Sequence, residues 1–406
     1  MFSLQAFMKR KELILLITLA AINFTNIMDF MIMMPLGPQL MRIFQISPAQ
    51  FGILVSSYTF SAGISGFFAA FIIDRFDRKI FLQWLYAGFL LGTLSCGFAP
   101  NYFLLVMARI FTGIFGGVLG AVILAIIGDV IPFERRGQAM GIIMGAFSVA
   151  SVLGVPFGLF IANLYGWNAP FIFLAIFALP ISWFVWKYIP PIKIHLESGI
   201  TVRFRDVLSN ITSSPNQRKA ISLMICIMFG HFTIIPFLSP YMVSNVGFSE
   251  FQLTYIYLFG GLFTIFTSPL IGKLADRIGK LRVFTIFVII CAIPIYFITS
   301  MPRTEIWVAL IATTTFFVVS GGRFIPAQAM VTAAVKPEIR GSFMSILSSM
   351  QQLSAGLASY IAGLIVVKEA GGELSNYNIV GYISMAVTLF TLYLATRIRT
   401  VDGKKF

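Results

Sequence analysis

The stretch from Asn23 to Gln39 reads Asn-Phe-Thr-Asn-Ile-Met-Asp-Phe-Met-Ile-Met-Met-Pro-Leu-Gly-Pro-Gln and places one carboxylate, Asp29, inside an apolar segment. The segment begins near Leu13 and is long enough to cross a bilayer as a helix. An ionisable group at the centre of a membrane costs roughly 2.5 to 3.5 kcal/mol on insertion scales, so such groups usually face a bundle interior and mark a substrate or ion pathway. Asp29 is therefore the first candidate functional residue.

The composition is that of a polytopic membrane protein, because 58% of the 406 residues are hydrophobic and only 11% are charged. The formal net charge of +14 lies in short segments between apolar runs, which indicates orientation in a membrane and no nucleic-acid partner. The three cysteines lie inside apolar runs and predict neither a disulfide framework nor a metal site. The sequence contains no nucleotide loop and no nucleophile beside a base, so we expect no enzyme activity and no cofactor.

Apolar runs long enough to span a membrane occur in two sets of six. They lie near residues 13–40, 49–73, 80–99, 102–131, 137–164 and 168–188, and then near 220–244, 251–274, 282–300, 305–334, 341–367 and 377–396. None has the ten-residue alternation of an outer-membrane strand. The sequence predicts an all-α membrane protein of 12 transmembrane helices in two six-helix halves.

The predicted division of the chain is a first half over 1–188, a cytoplasmic linker over 189–217, a second half over 218–398 and a cytoplasmic tail over 399–406. A short surface helix is possible in the linker around Val202 to Ile211. If both termini are cytoplasmic, the outside loops carry only Arg42, Arg303 and Lys368. All other loop cations are then inside, as the positive-inside rule requires.

The second half repeats the landmarks of the first at an offset near 202 to 204. Asp74-Arg75 recurs as Asp276-Arg277 (276 − 74 = 202), and residues 134–137 recur as 338–341 (338 − 134 = 204). These matches connect loops and helices in one order, which favours a duplicated six-helix unit. Such parallel repeats are typical of transporters with a site at the midplane between the halves.

At the same offset Asp29 corresponds to His231 (231 − 29 = 202). The first helix of each half thus carries an ionisable group at one depth, and histidine titrates near neutral pH. His231 is either part of the pathway or a buried neutral ring bonded to a neighbouring helix.

Two arginines, Arg109 and Arg323, also lie within apolar runs. Arg109 is eight residues inside Asn101 and Asp29 is ten inside Gln39, or roughly 12 and 15 Å from the outer face at 1.5 Å per residue. We therefore expect an Asp29–Arg109 ion pair, either functional or purely structural. Asn26, in the same segment as Asp29, joins the predicted pathway.

The first inner loop, Ala70-Phe-Ile-Ile-Asp74-Arg75-Phe-Asp77-Arg78-Lys79, resembles the major facilitator superfamily signature G-x-x-x-D-R-x-G-R-K. A second copy over residues 272–282 keeps both glycines and the Asp-Arg pair. The first copy departs from the signature at Ala70 and Asp77, where the family usually has glycine. The resemblance implies a transporter fold.

The charges of these loops predict a gate. A carboxylate beside several cations at a helix end forms charge-assisted hydrogen bonds to a neighbouring helix terminus, and such contacts exist in discrete states. Asp129, at the inner end of the fourth segment, is a candidate partner for Arg75 or Arg78. The cationic loops also set the topology. In addition, we expect a gating role for the charged residues of both loop copies and their partner: Asp74, Arg75, Arg78, Asp129, Asp276 and Arg277.

Arg109 followed by spaced glycines looks like the superfamily's fourth-helix motif, which is linked in proton-coupled members to proton transfer. Polar groups in the tenth and eleventh segments, including Arg323 and Gln351, should face a partner or the cavity, because unsatisfied polar groups in lipid are costly. With the Asp29 segment, they resemble the bacterial arabinose-efflux and drug:proton antiporter branch. The resemblance covers nearly the whole chain.

The leading functional prediction is a secondary transporter working by alternating access, coupled to the proton gradient and exporting small amphipathic or drug-like compounds. Asp29 would be the proton acceptor. The alternative is a uniporter or proton symporter importing a sugar, organic anion or other nutrient, with Arg323 or Arg109 as an anion ligand. A third class, a signalling or scaffold protein, predicts that Asp29→Asn leaves function untouched. We expect a monomer in the lipid bilayer of a bacterial cytoplasmic (inner) membrane.

Overall fold

The computed structural model describes residues 10–69, 72–192, 213–336 and 339–404 of the chain, and they fold into an almost entirely helical bundle. The predicted surface helix at 202–211 lies outside these residues. The helices of the first half are α1 Arg10–Ile32, α2 Gly37–Ile43, α3 Pro48–Ala69, α4 Arg78–Gly97, α5 Tyr102–Val130, α6 Phe133–Val149, α7 Val155–Tyr165 and α8 Ala169–Tyr188. Those of the second half are α9 Pro215–Phe232, α10 Ile235–Tyr241, α11 Leu253–Ile278, α12 Lys280–Thr299, α13 Ile306–Ala333, α14 Arg340–Ile365 and α15 Tyr377–Thr396.

Shorter elements complete the described chain. A 3₁₀ turn covers Ile73–Arg75, and π-helical segments cover Ala150–Gly154 and Met242–Val246. A two-stranded antiparallel hairpin pairs β1 Val367–Lys368 with β2 Leu374–Ser375 before α15. α6 and α7 form one span through the first π segment, and α9 and α10 form another.

Eleven described segments are long and apolar enough to span a membrane. The predicted run at 341–367 corresponds to α14, which has 26 residues but is not among the eleven. Its polar side chains lower its hydropathy. They are tolerated because the helix packs against α3: a methyl group at Gly52 would lie 3.0 Å from Gly363 Cα, and one at Gly63 would lie 3.0 Å from the Ser349 carbonyl oxygen. A helix covered by a neighbour needs less apolar surface than one facing lipid.

The internal repeat extends to local hydrogen bonds. Ser47 and Gln50 form a reciprocal capping pair at the start of α3, with N–O distances of 2.9 and 3.3 Å. Ser249 and Gln252 form the same pair before α11, at 2.9 and 3.2 Å. Because each side chain satisfies a backbone N–H of the other residue, the duplicated residues enter the membrane in the same way in both halves.

The apolar core shows how the halves meet. We call the end of the bundle that carries Arg78, Lys79 and Arg340 the cationic face, and the other end the opposite face. One buried cluster joins residues of both halves near the opposite face, including Leu40, Phe51 and Phe237. Toward the cationic face each half has its own separate cluster. The halves are therefore joined at the opposite face.

Polar contacts reinforce this closed face. Arg42 forms a two-pronged ion pair with Glu250, one contact being Nη2–Oε2 at 3.2 Å. Gln39 donates to the side-chain oxygen of Asn163 (2.9 Å), and Asn163 donates to the backbone oxygen of Glu250 (3.4 Å). A methyl group at Gly37 would lie 2.8 Å from Pro240. These contacts link the two halves across the opposite face.

α6 and α11, which belong to different halves, diverge toward the cationic face. A methyl group at Gly261 of α11 would lie 2.8 Å from Val152 and 3.1 Å from the Ser151 carbonyl oxygen. Gly145 is seven residues before Val152, and Gly272 is eleven after Gly261, both close to whole numbers of helical turns. A methyl group at Gly145 or Gly272 would meet no described atom within 4 Å. The facing surfaces therefore separate as they approach the cationic face.

Candidate functional site

Asp29 and Arg109 form a buried ion pair between α1 and α5. Arg109 Nη1 donates to Asp29 Oδ2 at 2.7 Å, and the two side chains are 0% and 1% exposed. Thr93 of α4 donates its hydroxyl to Asp29 Oδ1 at 3.0 Å. Both carboxylate oxygens thus have a partner, as a buried charge requires. The contact predicted from depth is present.

Close helix approach builds the surroundings of the pair. The Arg109 guanidinium lies 4.4 Å from the centre of the Tyr58 ring, which adds a cation–π contact in a dry site. The Tyr58 hydroxyl donates to Asn26 Oδ1 (3.0 Å), and Asn26 donates to the Gly116 carbonyl oxygen (3.2 Å). A methyl group at Gly116 would lie 2.5 Å from the Tyr58 hydroxyl, so the glycine makes room for this network.

An aromatic series leads from this pair to the second half. The Tyr58 ring stacks on Phe30 with centroids 5.4 Å apart, and Phe30 contacts Phe232 of α9 at 5.8 Å. His231 lies 5.5 Å from Phe232 and stacks on Phe316 of α13 at 5.7 Å with an interplanar angle of 9°. His231 forms no hydrogen bond to another described side chain. The position of the second half that corresponds to Asp29 is therefore occupied by an imidazole ring stacked on an aromatic side chain.

Arg323 of α13 has a different environment from Arg109. Its side chain is 1% exposed, and Nη1 donates to the Thr388 hydroxyl at 2.7 Å. Its Nε and Nη2 have no hydrogen-bond partner, and no described carboxylate lies within ion-pair distance. The amide nitrogen of Gln351 on α14 is also buried without a partner. The second half thus holds unused buried donors.

The first inner loop packs its arginine against α5. Arg78, at the start of α4, donates Nε to Asp129 Oδ2 (3.1 Å) and Nη1 to the Ile73 carbonyl oxygen (2.6 Å). Asp77 caps α4 by accepting from the Lys79 backbone N–H at 2.8 Å. Of the two predicted partners for Asp129, the structure has Arg78, while Arg75 is exposed. The side chain of Asp74 lies outside the described part.

Comparison with known proteins supports the family resemblance of the first inner loop. A family model of the Major Facilitator Superfamily matches residues 19–216 and 220–405. This chain belongs to the Major Facilitator Superfamily. It is a multi-pass membrane protein of a transporter family, which confirms the prediction of a transporter and not an enzyme.

Several relatives and one solved structure of the Major Facilitator Superfamily cover most of the chain. The putative transporter AraJ of Escherichia coli is 24% identical over 66% of this chain and 68% of its own. A probable sugar efflux transporter of Helicobacter pylori is 22% identical over 90% and 89%. The crystal structure of a D-xylose-proton symporter matches with a TM-score of 0.76 at 18% identity, covering 97% of this chain and 99% of that one.

The second copy of the superfamily loop differs from the first. Asp276 and Arg277 belong to the last turns of α11, where both side chains are exposed, and neither makes an ion pair to another described residue. The helix ends at Ile278 and is followed by Gly279, whose φ of 102° suits glycine. Among the described residues, the predicted loop contact is therefore present in the first copy only.

The sequence analysis did not identify several residues that contact the buried charged groups of this site. Tyr58 and Thr93 contact the ion pair, and Phe316 and Thr388 surround the second-half groups. Aromatic and hydroxyl side chains are common in apolar helices, so composition does not single them out. A search of α3 and α4 for polar groups at the depth of Asp29 would have found the first two.

Proposed function

We propose that this protein is a proton-coupled secondary transporter that moves a small organic solute by alternating access. In this proposal α14 is the twelfth span, both termini lie in the cytoplasm at the cationic face, and the division at residues 188, 217 and 398 holds. The protein works as a monomer in the bacterial inner membrane. It needs no cofactor, and the proton gradient supplies the energy.

The buried Asp29–Arg109 pair carries the proposal. Ionised Asp29 neutralises Arg109 at 2.7 Å in a site closed to water. Protonation of Asp29 removes that ion pair and leaves the guanidinium held by the Tyr58 ring, so the two protonation states favour different helix positions. A proton that binds one conformation better than the other shifts the equilibrium between them. This is what coupling to a gradient requires.

Export is the direction supported by the relatives, which include a probable sugar efflux transporter. The opposite face is closed and the cationic face open, so a site near Asp29 would load from the cytoplasm. For amphipathic or drug-like compounds, the aromatic series around Phe30 and Phe232 provides adaptable apolar surface.

A second candidate is proton symport of a sugar or organic anion. The specific observation in its favour is Arg323, whose free donors would suit an anionic solute. A D-xylose-proton symporter also shares the fold. In this case solute and proton bind together.

The loop residues would act as gates. Arg78 bound to Asp129 holds α4 against α5 while the cationic face is open. Asp276 and Arg277 are exposed at the same face and are free to meet the first half, where Asp74 and Arg75 lie, when the face closes. The gate therefore exchanges contacts within one half for contacts between halves.

Proton release or uptake by purified protein tests the proposal. D-xylose and the lipophilic cation ethidium would be added in weak buffer to wild type, Asp29→Asn and a control variant, Asp402→Asn, which changes an exposed tail carboxylate. Export by exchange predicts proton release in wild type and control but not in Asp29→Asn. Proton uptake on binding would favour symport, and an unchanged response in Asp29→Asn would refute the role of Asp29.

A further inference from the structure

The second half contains a buried positive charge, that of Arg323, for which the described part of the chain provides no carboxylate partner. Inside helices α9 to α15 the only carboxylate is Asp276, which lies two residues from the end of α11 and is exposed. The other described acidic residues of this half are in loops or at helix ends: Glu250, Glu305, Glu369 and Glu373. Arg323 is 1% exposed, so its charge differs from that of Arg109, which Asp29 neutralises.

The free donors of Arg323 form a complete binding edge. Nη1 is used by Thr388, and Nε and Nη2 are the two nitrogens left without a partner. These two point side by side from one edge of the planar guanidinium, the geometry that binds a carboxylate through two parallel hydrogen bonds. Thr388 therefore fixes the group and leaves the edge open.

Neighbouring groups on α13 complete a subsite. Ser320 lies one turn before Arg323, and its buried hydroxyl has no partner. Phe316 lies a further turn along the same helix and stacks with His231. A charged edge, a hydroxyl and an aromatic surface thus follow one another at helical spacing. They fit an anionic group attached to a hydroxylated or aromatic body.

Burial of an unpaired charge is strongly unfavourable, and a buried cation of this kind normally has an anionic partner. We propose that the Nε–Nη2 edge of Arg323 binds the carboxylate of the transported solute, with Ser320 and the Phe316–His231 stack holding its remainder. The substrate class is then organic carboxylates. The inference rests on the proposed transport function and deepens its second candidate, proton symport of an organic anion.

Binding by the purified full-length protein tests the substrate class. Thermal unfolding would be measured in chloride-free buffer with two matched pairs of probes: glucuronate with glucose, and benzoate with benzamide. At least one carboxylate should raise the unfolding temperature with an apparent affinity tenfold or more above its neutral twin, because a ligand that binds only the folded state stabilises it. Equal responses within both pairs would overturn the proposal.

Substitutions assign the effect to the arginine edge. Arg323→Gln should weaken carboxylate binding at least tenfold, and Arg323→Lys should lie between the two, because it keeps the charge and loses the fork. Arg399→Gln, at the exposed end of the chain, is the matched control and should respond as wild type. Sodium chloride is a separate arm. If chloride alone reproduces the stabilisation and displaces the carboxylates, the site holds an inorganic counter-ion and the substrate assignment is wrong.

A second readout concerns the ligand-free protein. Arg323→Gln should unfold at a higher temperature than wild type, because it removes an uncompensated buried charge, whereas Arg109→Gln should unfold at a lower one. A decrease for Arg323→Gln would show that the chain already neutralises this charge. Both readouts are made in detergent without a proton gradient, so their outcome does not depend on whether transport is coupled to protons. If Arg323→Gln does not fold, Ser320→Ala and Arg323→Lys still report on binding.

Discussion

The Asp29–Arg109 pair predicts a large non-additivity between two substitutions. Asp29→Asn leaves a guanidinium, and Arg109→Gln leaves a carboxylate, each in a site that is at most 1% exposed. Removing one partner of a buried ion pair destabilises a protein by about 3–5 kcal/mol. Thr93 and Tyr58 still offer one contact each, so we expect the lower end of that range.

The double variant Asp29→Asn, Arg109→Gln should recover most of this loss. It contains two neutral amides, and replacement of a whole buried pair by neutral groups is often near neutral in stability. With single losses of about 3 kcal/mol each and a double loss of about 1 kcal/mol, the coupling is about 5 kcal/mol, above the usual range for contacting residues. Thermal unfolding in one detergent should therefore rank the double variant above both single variants.

The same three variants separate a structural pair from a functional one. Proton release or uptake on solute binding should be absent whenever Asp29 is replaced, including in the stable double variant. Two results would refute the reasoning. The first is a double variant as unstable as the sum of the single variants, and the second is a stable double variant that still couples solute binding to protons.

Three further predictions concern packing, the closed face and the loop. Gly117→Val should destabilise by about 1–3 kcal/mol, because an added methyl group would lie 2.3 Å from a backbone oxygen of α3, whereas Gly120→Val meets no atom within 4 Å and should be nearly neutral in thermal unfolding; equal losses would contradict this. Glu250→Gln breaks a partly exposed ion pair between the halves, which contributes roughly 0.2–1 kcal/mol. The rate of thiol labelling at the opposite face, which reports how often this face opens, should therefore increase by less than about tenfold. A larger increase would mean that other contacts depend on the ion pair. Asp129→Asn should slow transport in proteoliposomes several-fold without changing solute affinity, and an unchanged rate would remove the loop from the gate.

The fold was largely predictable because bilayer length and repeated landmarks both act on the sequence. The Asp29–Arg109 contact followed from depth alone, since two opposite charges at one level of an apolar bundle have few other partners. The role of α14 was harder to evaluate. Its polar side chains make it less apolar than the other spans, and only its packing against α3 accounts for them.

Other features depend on packing that no local pattern reports. Pro156 has no backbone N–H, so the carbonyl four residues earlier loses its helical partner, and the chain adopts a π-helical segment over Ala150–Gly154. Asp276 and Arg277 have the same motif as the first loop, yet their surroundings depend on the distance between the halves.

If transport is coupled to protons as proposed, the two buried arginines together predict the sign of that coupling. When Asp29 takes up a proton, the first half gains a positive charge beside the aromatic series that leads to His231 and Phe316. In a medium of low dielectric this charge attracts an anion held by Arg323 and repels a cation. An organic carboxylate should therefore bind more tightly to the protonated protein, and by linkage it should increase proton uptake. A cationic solute should instead expel the proton. Carboxylate affinity that falls as pH is lowered would show that the two sites do not communicate in this way.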